Sequence, residues 1–226
     1  MNPREGLVRE ALRLHERYHR ELVERFSVCP WAKAARLEGR ARAHVVTAVS
    51  MSPEELLPVL AEWAADEDVD VAFVIAPCFT ADADAFADWA AAVGAQLGEV
   101  FVSAPFFPVA PESAGPIQLL RQTPDPTVQL VRRSRLEEIR AQDPPHYTDI
   151  FDLDLRALHK EKPELTAAAA VLAHNERTIE RNGREALQRI VDDIQQDRAR
   201  TYATLFGDTQ PTPKHSLYNR LRRTPR

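Results

Sequence analysis

Leu7, Val8, Ala11, Leu12, His15, Tyr18, His19, Leu22, Val23 and Phe26 recur every three or four positions, with charged residues between them. That spacing predicts an amphipathic helix ending near Phe26. A second, short helix should follow Pro30. The pattern then changes to short apolar runs alternating with helical stretches: Ala43 to Val49 then Pro53 to Ala65, Val69 to Ala76 then Asp82 to Val93, and Val100 to Ala104 followed by a loop. Strands joined by helical crossovers predict a sheet with at least three parallel strands. Thr127 to Val131 reads as a further strand of either direction, so the sheet is mostly parallel or mixed.

Arg132 to Ala141 has the look of a short polar helix, interrupted by Pro144 and Pro145. Ile150, Phe151, Leu153 and Leu155 predict that Tyr147 to Glu164 is an extended connection held against the main body. From Leu165 to about Arg200, Ala168, Leu172, Ile179, Leu187, Ile190 and Ile194 return to helical spacing, with a break expected at Asn182-Gly183, a helix-ending pair. The chain therefore reads as α/β: three or more strands flanked by helices, with a long C-terminal helix. Residues 1–206 form one domain including that helical extension, and 207–226, with Lys214, Arg220, Arg222, Arg223 and Arg226, form a mobile basic tail.

Composition narrows the class. The 226 residues are 44% hydrophobic and 28% charged, enough for one sizeable core, and the net charge of -5 gives no reason to expect a polyanion partner. The apolar run from Val69 to Ala76 is interrupted by Asp70 and falls far short of the roughly 20 residues a membrane span needs. With no apolar leader after Met1 and only two cysteines, Cys29 and Cys78, the expectation is a cytoplasmic protein with reduced thiols. Seven glycines and no Gly-x-Gly-x-x-Gly, phosphate-loop or Gly-x-Ser-x-Gly motif argue against a nucleotide cradle or a serine-hydrolase elbow. Tyr218 is the only stacking group in the basic tail, which argues against nucleic acid.

Val28-Cys29-Pro30-Trp31-Ala32 is the most informative local feature. Proline favours the first helical position, which would set Cys29 at the N-cap, where the helix dipole favours a thiolate. Cys29 is then a candidate nucleophile, redox group or soft metal ligand; the alternative is a small buried residue beside Trp31. If the strands are parallel, Cys78 and Phe106-Phe107-Pro108 follow them at the carboxyl edge of the sheet, where open α/β sheets place ligands. Cys29, Cys78, Phe107 and Gln118 are expected to surround one pocket there, although core packing is the alternative for Cys78 and both phenylalanines. His15 and His19 have the spacing of a zinc pair but no further ligand near them, so partly buried, hydrogen-bonded histidines are expected and no metal is assigned. Asp149, Asp152 and Asp154 lack the glycine and glutamate of a calcium loop.

The ordered set Cys29-Pro30-Trp31-Ala32, Phe106-Phe107-Pro108, Leu119-Leu120-Arg121 and Glu180-Arg181-Asn182 resembles the bacterial domain of unknown function 1415 family, from about Leu7 to Gln195. That family carries Phe-His-Pro and His-Leu-Leu-Arg where this chain has Phe107 and Gln118, so two imidazoles are absent. The resemblance implies a fold and a site location, not an activity. Two functions follow as expectations. The first is a non-catalytic binding or partner protein, its pocket formed with Cys78, Phe107, Gln118, Arg121 and Asn182, taking a small molecule or a protein. The second is a small-molecule enzyme in which Cys29 is the nucleophile or redox group, Arg121 an anion anchor and Gln118 an orienting amide. Neither nominates a cofactor.

Overall fold

The computed structural model describes residues 2–29, 32–109, 116–135, 138 and 167–207, with backbone only at 116–117 and 167–174. Apart from residues 138 and 207, the sequence-predicted helix beyond Arg135, the Tyr147 to Glu164 connection and the basic tail lie outside the described residues.

Helix α1 (Pro3–Tyr18) starts where the sequence caps it: the Asn2 side chain accepts from the Arg4 N–H at 3.1 Å, and Pro3 supplies a pre-set first turn. The helix continues, over His19–Glu24, as a wider π-helical turn. Such a turn inserts one extra residue and is frequent at functional sites. Ser27, at φ 51, then turns the chain out of the helix, so that Val28 and Cys29 double back ahead of α2 (Ala32–Leu37).

Strand β1 (Ala41–Val45), a 3-10 turn at Pro53–Leu56 leading into α3 (Leu57–Ala65), β2 (Val71–Ile75), α4 (Ala83–Ala95) and β3 (Phe101–Phe106) realise the alternation read from the sequence. A second 3-10 turn at Pro116–Arg121 precedes β4 (Thr127–Arg132). The sheet order is β1-β2-β4-β3, with β1 and β2 parallel and β4 antiparallel to both β2 and β3. Three strands thus share one direction, and the sheet is mixed because β4 fills the place between β2 and β3. Internal β2 is buried at all five positions.

Alternate residues face opposite layers. Ala72, Val74, Val128, Leu130 and Phe101 meet Leu60, Trp63, Phe86, Ala90 and Val93 of α3 and α4, the larger of the two apolar layers. Each fully buried Leu or Phe there contributes about 1.5–3 kcal/mol. Gly94 lets α4 approach β3, since a Cβ at that position would collide with the Ser103 side chain. On the opposite face, Val71, Phe73 and Ile75 meet Ala11 of α1 and Ala35 of α2.

Helices α5 (Ala167–Asn182) and α6 (Arg184–Phe206) are separated by Gly183 at φ 78, the break expected from the sequence. Ile179, Leu187, Val191 and Ile194 pack with Tyr18, Leu22, Val23, Leu119 and Leu120, joining α5 and α6 to the end of α1 and to the second 3-10 turn. Arg13 and Arg17 of α1 both bind Asp197 of α6, at 2.8 and 2.6 Å. Among the described residues no helix is long and apolar enough to cross a membrane.

Candidate functional site

Helix α1 covers the face of β2 and β4 only partly. A cavity of about 210 Å³ remains, floored by Val71, Phe73, Gln129 and Val131 of those strands and by Val102, Ala104 and Phe106 of β3. His15, Tyr18, His19 and Val23 form its roof, Val28 and Cys29 one wall, and Leu120, Arg121 and Asn175 the rest. The sheet register explains the floor: Val71, Val131 and Val102 are aligned across three strands, as are Phe73, Gln129 and Ala104.

The two imidazoles stand together, ring centroids 4.5 Å apart, each edge-on to Phe73 at 4.6 and 4.7 Å. Burial, with the neighbouring His19 adding to it, holds His15 well below the usual histidine range. Burial also pulls His19 down to about 4, with Glu24 opposing that shift. Both rings are therefore neutral at pH 7. His15 is 7% exposed and Asn175 6% exposed, yet both ring nitrogens of His15 and Oδ1 of Asn175 lack a hydrogen-bond partner among the described residues. Tyr18, by contrast, donates its hydroxyl to the Leu120 carbonyl at 2.5 Å, which anchors the 3-10 turn that carries Arg121. The Arg121 guanidinium lies over the Phe106 ring, 5.7 Å from its centroid.

The structure brings together only two of the residues expected to share a pocket. Cys29 and Arg121 line the cavity. Cys78 is buried elsewhere, among Leu7, Leu14 and Tyr202, where burial and the nearby Asp125 carboxylate push its thiol up. Phe107 packs on the other face of the sheet against Phe86, ring centroids 5.7 Å apart, because its neighbour Phe106 occupies the cavity side. Gln118 is half-buried one turn before Arg121 and does not line the cavity. Exposed Asn182 caps α5, its Nδ2 donating to the Thr178 carbonyl at 2.8 Å. This cavity lies over the sheet face and not at the carboxyl edge, because α1 crosses that face and does not fill it.

Cys29 precedes a helix of six residues, too short to supply a strong dipole. No group of three or more metal-ligating side chains is found among the described residues. Sequence reasoning paired His15 with His19 but expected hydrogen-bonded rings; it passed over Phe73, Gln129 and Asn175. Alternation along β2 and β4 signalled the first two, while nothing local marks Asn175.

No protein family, curated protein or solved structure matches this chain.

Proposed function

We propose that this is a binding protein for a small organic molecule, held between α1 and the sheet. One observation carries the reading: two polar side chains, His15 and Asn175, are more than nine-tenths buried against a largely apolar cavity with hydrogen-bonding atoms unpartnered among the described residues. Leaving such an atom unsatisfied costs about 1–3 kcal/mol. A fold that keeps two of them at one cavity is explained when a ligand completes their bonds. The volume suits a small ligand, since a dry cavity of about 150 Å³ already holds benzene.

The test is a stability gain. His15→Phe and Asn175→Leu keep approximate shape and remove the unsatisfied atoms, so each is expected to stabilise the ligand-free protein by about 1 kcal/mol or more. For a chain of this length that is about 2–4 °C in Tm per kcal/mol. Native mass spectrometry of the purified wild type should show any retained small molecule, lost in both variants. A fall in stability for both variants would mean that these groups serve the fold, and the reading would be abandoned.

The second reading, an enzyme using Cys29, is kept because Cys29 lines the same cavity. Cys29 is half-buried and Cys78 is buried, so iodoacetamide is expected to label Cys29 at least tenfold faster in the native protein, with the difference gone in denaturant. Peptide mass spectrometry across pH separates the two functions. A Cys29 rate that plateaus well below the free-thiol value of about 8.5 supports the enzyme; an ordinary profile supports binding alone.

A further inference from the structure

We infer that the occupant of this cavity is a small monoanionic carboxylate with a flat apolar body and a hydrogen-bond donor for Asn175. The inference rests on the binding reading above and names its ligand class.

The charge inventory is one-sided. Among the described side chains lining the cavity Arg121 is the only one charged at pH 7; no aspartate, glutamate or lysine among them accompanies it, and the two imidazoles are neutral. Arg121 makes no ion pair among the described residues, only its contact with the Phe106 ring. A cation at an apolar cavity without a carboxylate leaves a vacancy for an anion. A planar guanidinium matches a carboxylate through two parallel hydrogen bonds. A single guanidinium suits one negative charge better than a phosphate dianion, which recruits several cationic or backbone donors.

The neighbouring cavity offers the contrast. About 280 Å³ in volume, it lies between α1, α2 and β1 and shares His15, His19 and Phe73 with the first as a common wall. Its cations are already matched: Arg36 binds Glu24 at 2.6 Å and Arg42 binds Asp66 at 3.1 Å. An anion is therefore recruited to the Arg121 side alone.

The remaining walls define the body. Val23, Val28, Phe73, Val131 and Leu120 present apolar surface, and Phe106 a ring face. About 210 Å³ accepts one aromatic ring with its carboxylate and one further substituent, scaled from the benzene-sized cavity. Asn175 Oδ1 accepts hydrogen bonds only, so the further substituent is a hydroxyl or amino group. Neutral His15 offers one donor and one acceptor nitrogen to whatever lies beside it.

Four probes test this on the full chain by calorimetry and ligand-observed NMR: benzoate, 4-hydroxybenzoate, benzyl alcohol and inorganic phosphate. Benzoate is expected to bind, and Arg121→Met to weaken it at least tenfold while leaving benzyl alcohol within threefold; Arg121→Lys should recover part of the loss. The 4-hydroxy compound should bind several-fold tighter than benzoate, an increment that Asn175→Leu removes. Benzyl alcohol binding as tightly as benzoate, benzoate binding unchanged in Arg121→Met, or phosphate matching benzoate each overturns the carboxylate assignment. If no organic probe binds while Asn175→Leu still stabilises the protein, the ligand class falls and the binding reading stands. If no probe binds and Asn175→Leu and His15→Phe both destabilise, both fall.

Discussion

Asp125→Ala is expected to cost about 3–5 kcal/mol of folding stability, because it removes the carboxylate from a buried ion pair and leaves the cation behind. Asp125 is wholly buried in the turn before β4. Its carboxylate accepts from Arg198 Nε and from the Tyr202 hydroxyl, both at 2.7 Å, and its backbone carbonyl accepts from Thr123 and Thr127 at 2.7 and 2.8 Å. Arg198, 6% exposed, lies over the Tyr202 ring at 4.5 Å. Burial and the adjacent Asp125 carboxylate hold the Tyr202 phenol far above its usual value, so it stays protonated and donates. The network ties α6 to the start of β4. Urea unfolding should show a lower midpoint at unchanged slope, and Tm should fall by about 10 °C. Tyr202→Phe removes one donor only and should cost about 1 kcal/mol. The paired replacement Asp125→Leu with Arg198→Met removes both charges together and should cost much less than Asp125→Ala. A loss below about 1 kcal/mol for Asp125→Ala would show that water reaches the guanidinium and that the buried ion pair is not what ties α6 to the start of β4.

This network also bears on the cavity. The same stretch carries Thr123 and Thr127, which line it, while α6 presses the end of α1 and the Arg121 turn together through Tyr18, Leu120, Leu187 and Val191. Part of the cavity wall is thus tied in place by packing and hydrogen bonds that involve no ligand. Preorganisation of that kind reduces the ordering cost of binding.

Local pattern made most of the elements legible. The apolar run of β2, the helical spacing of Leu7 to Phe26 and the Asn182-Gly183 break all correspond to elements of the structure. Strand order was not legible: β4 enters between β2 and β3 through long-range pairing, which leaves no periodic signature in the chain. The same limit separated the residues expected to share one pocket. Cys78 and Phe107 do follow strands that share one direction, but which layer each side chain meets depends on parity and on what covers that face. Phe106 and Phe107, adjacent and chemically identical, end on opposite sides of the sheet. His15 and His19 were legible as a pair on an apolar stripe; that no group among the described residues reaches the nitrogens of His15 depends on the distance between α1 and the strands.

The histidine pair makes stability depend on pH in a window where carboxylates contribute little. An unfolded histidine titrates near 6.5, whereas folded His19 titrates near 4 and His15 well below its ordinary value. Between those limits the unfolded chain takes up protons that the folded chain refuses, so stability is full above pH 6.5 and declines as pH falls toward 4. For His19 alone the fall from 6.5 to about 4 corresponds to on the order of 3 kcal/mol. His15 adds to it in the same direction. Asp197, held down at about 2 chiefly by Arg13, acts in a separate window: its contribution persists above the unfolded value of 3.8 and is lost only as pH falls from there toward 2. Urea midpoints measured from pH 7.5 to 4.5 should therefore fall steeply in the wild type and much less in the His15→Phe, His19→Phe double variant. A wild type with the same midpoint across that range would mean that both imidazoles charge as freely folded as unfolded. Water would then have to reach them, and the unsatisfied cavity wall on which the binding reading depends would not exist.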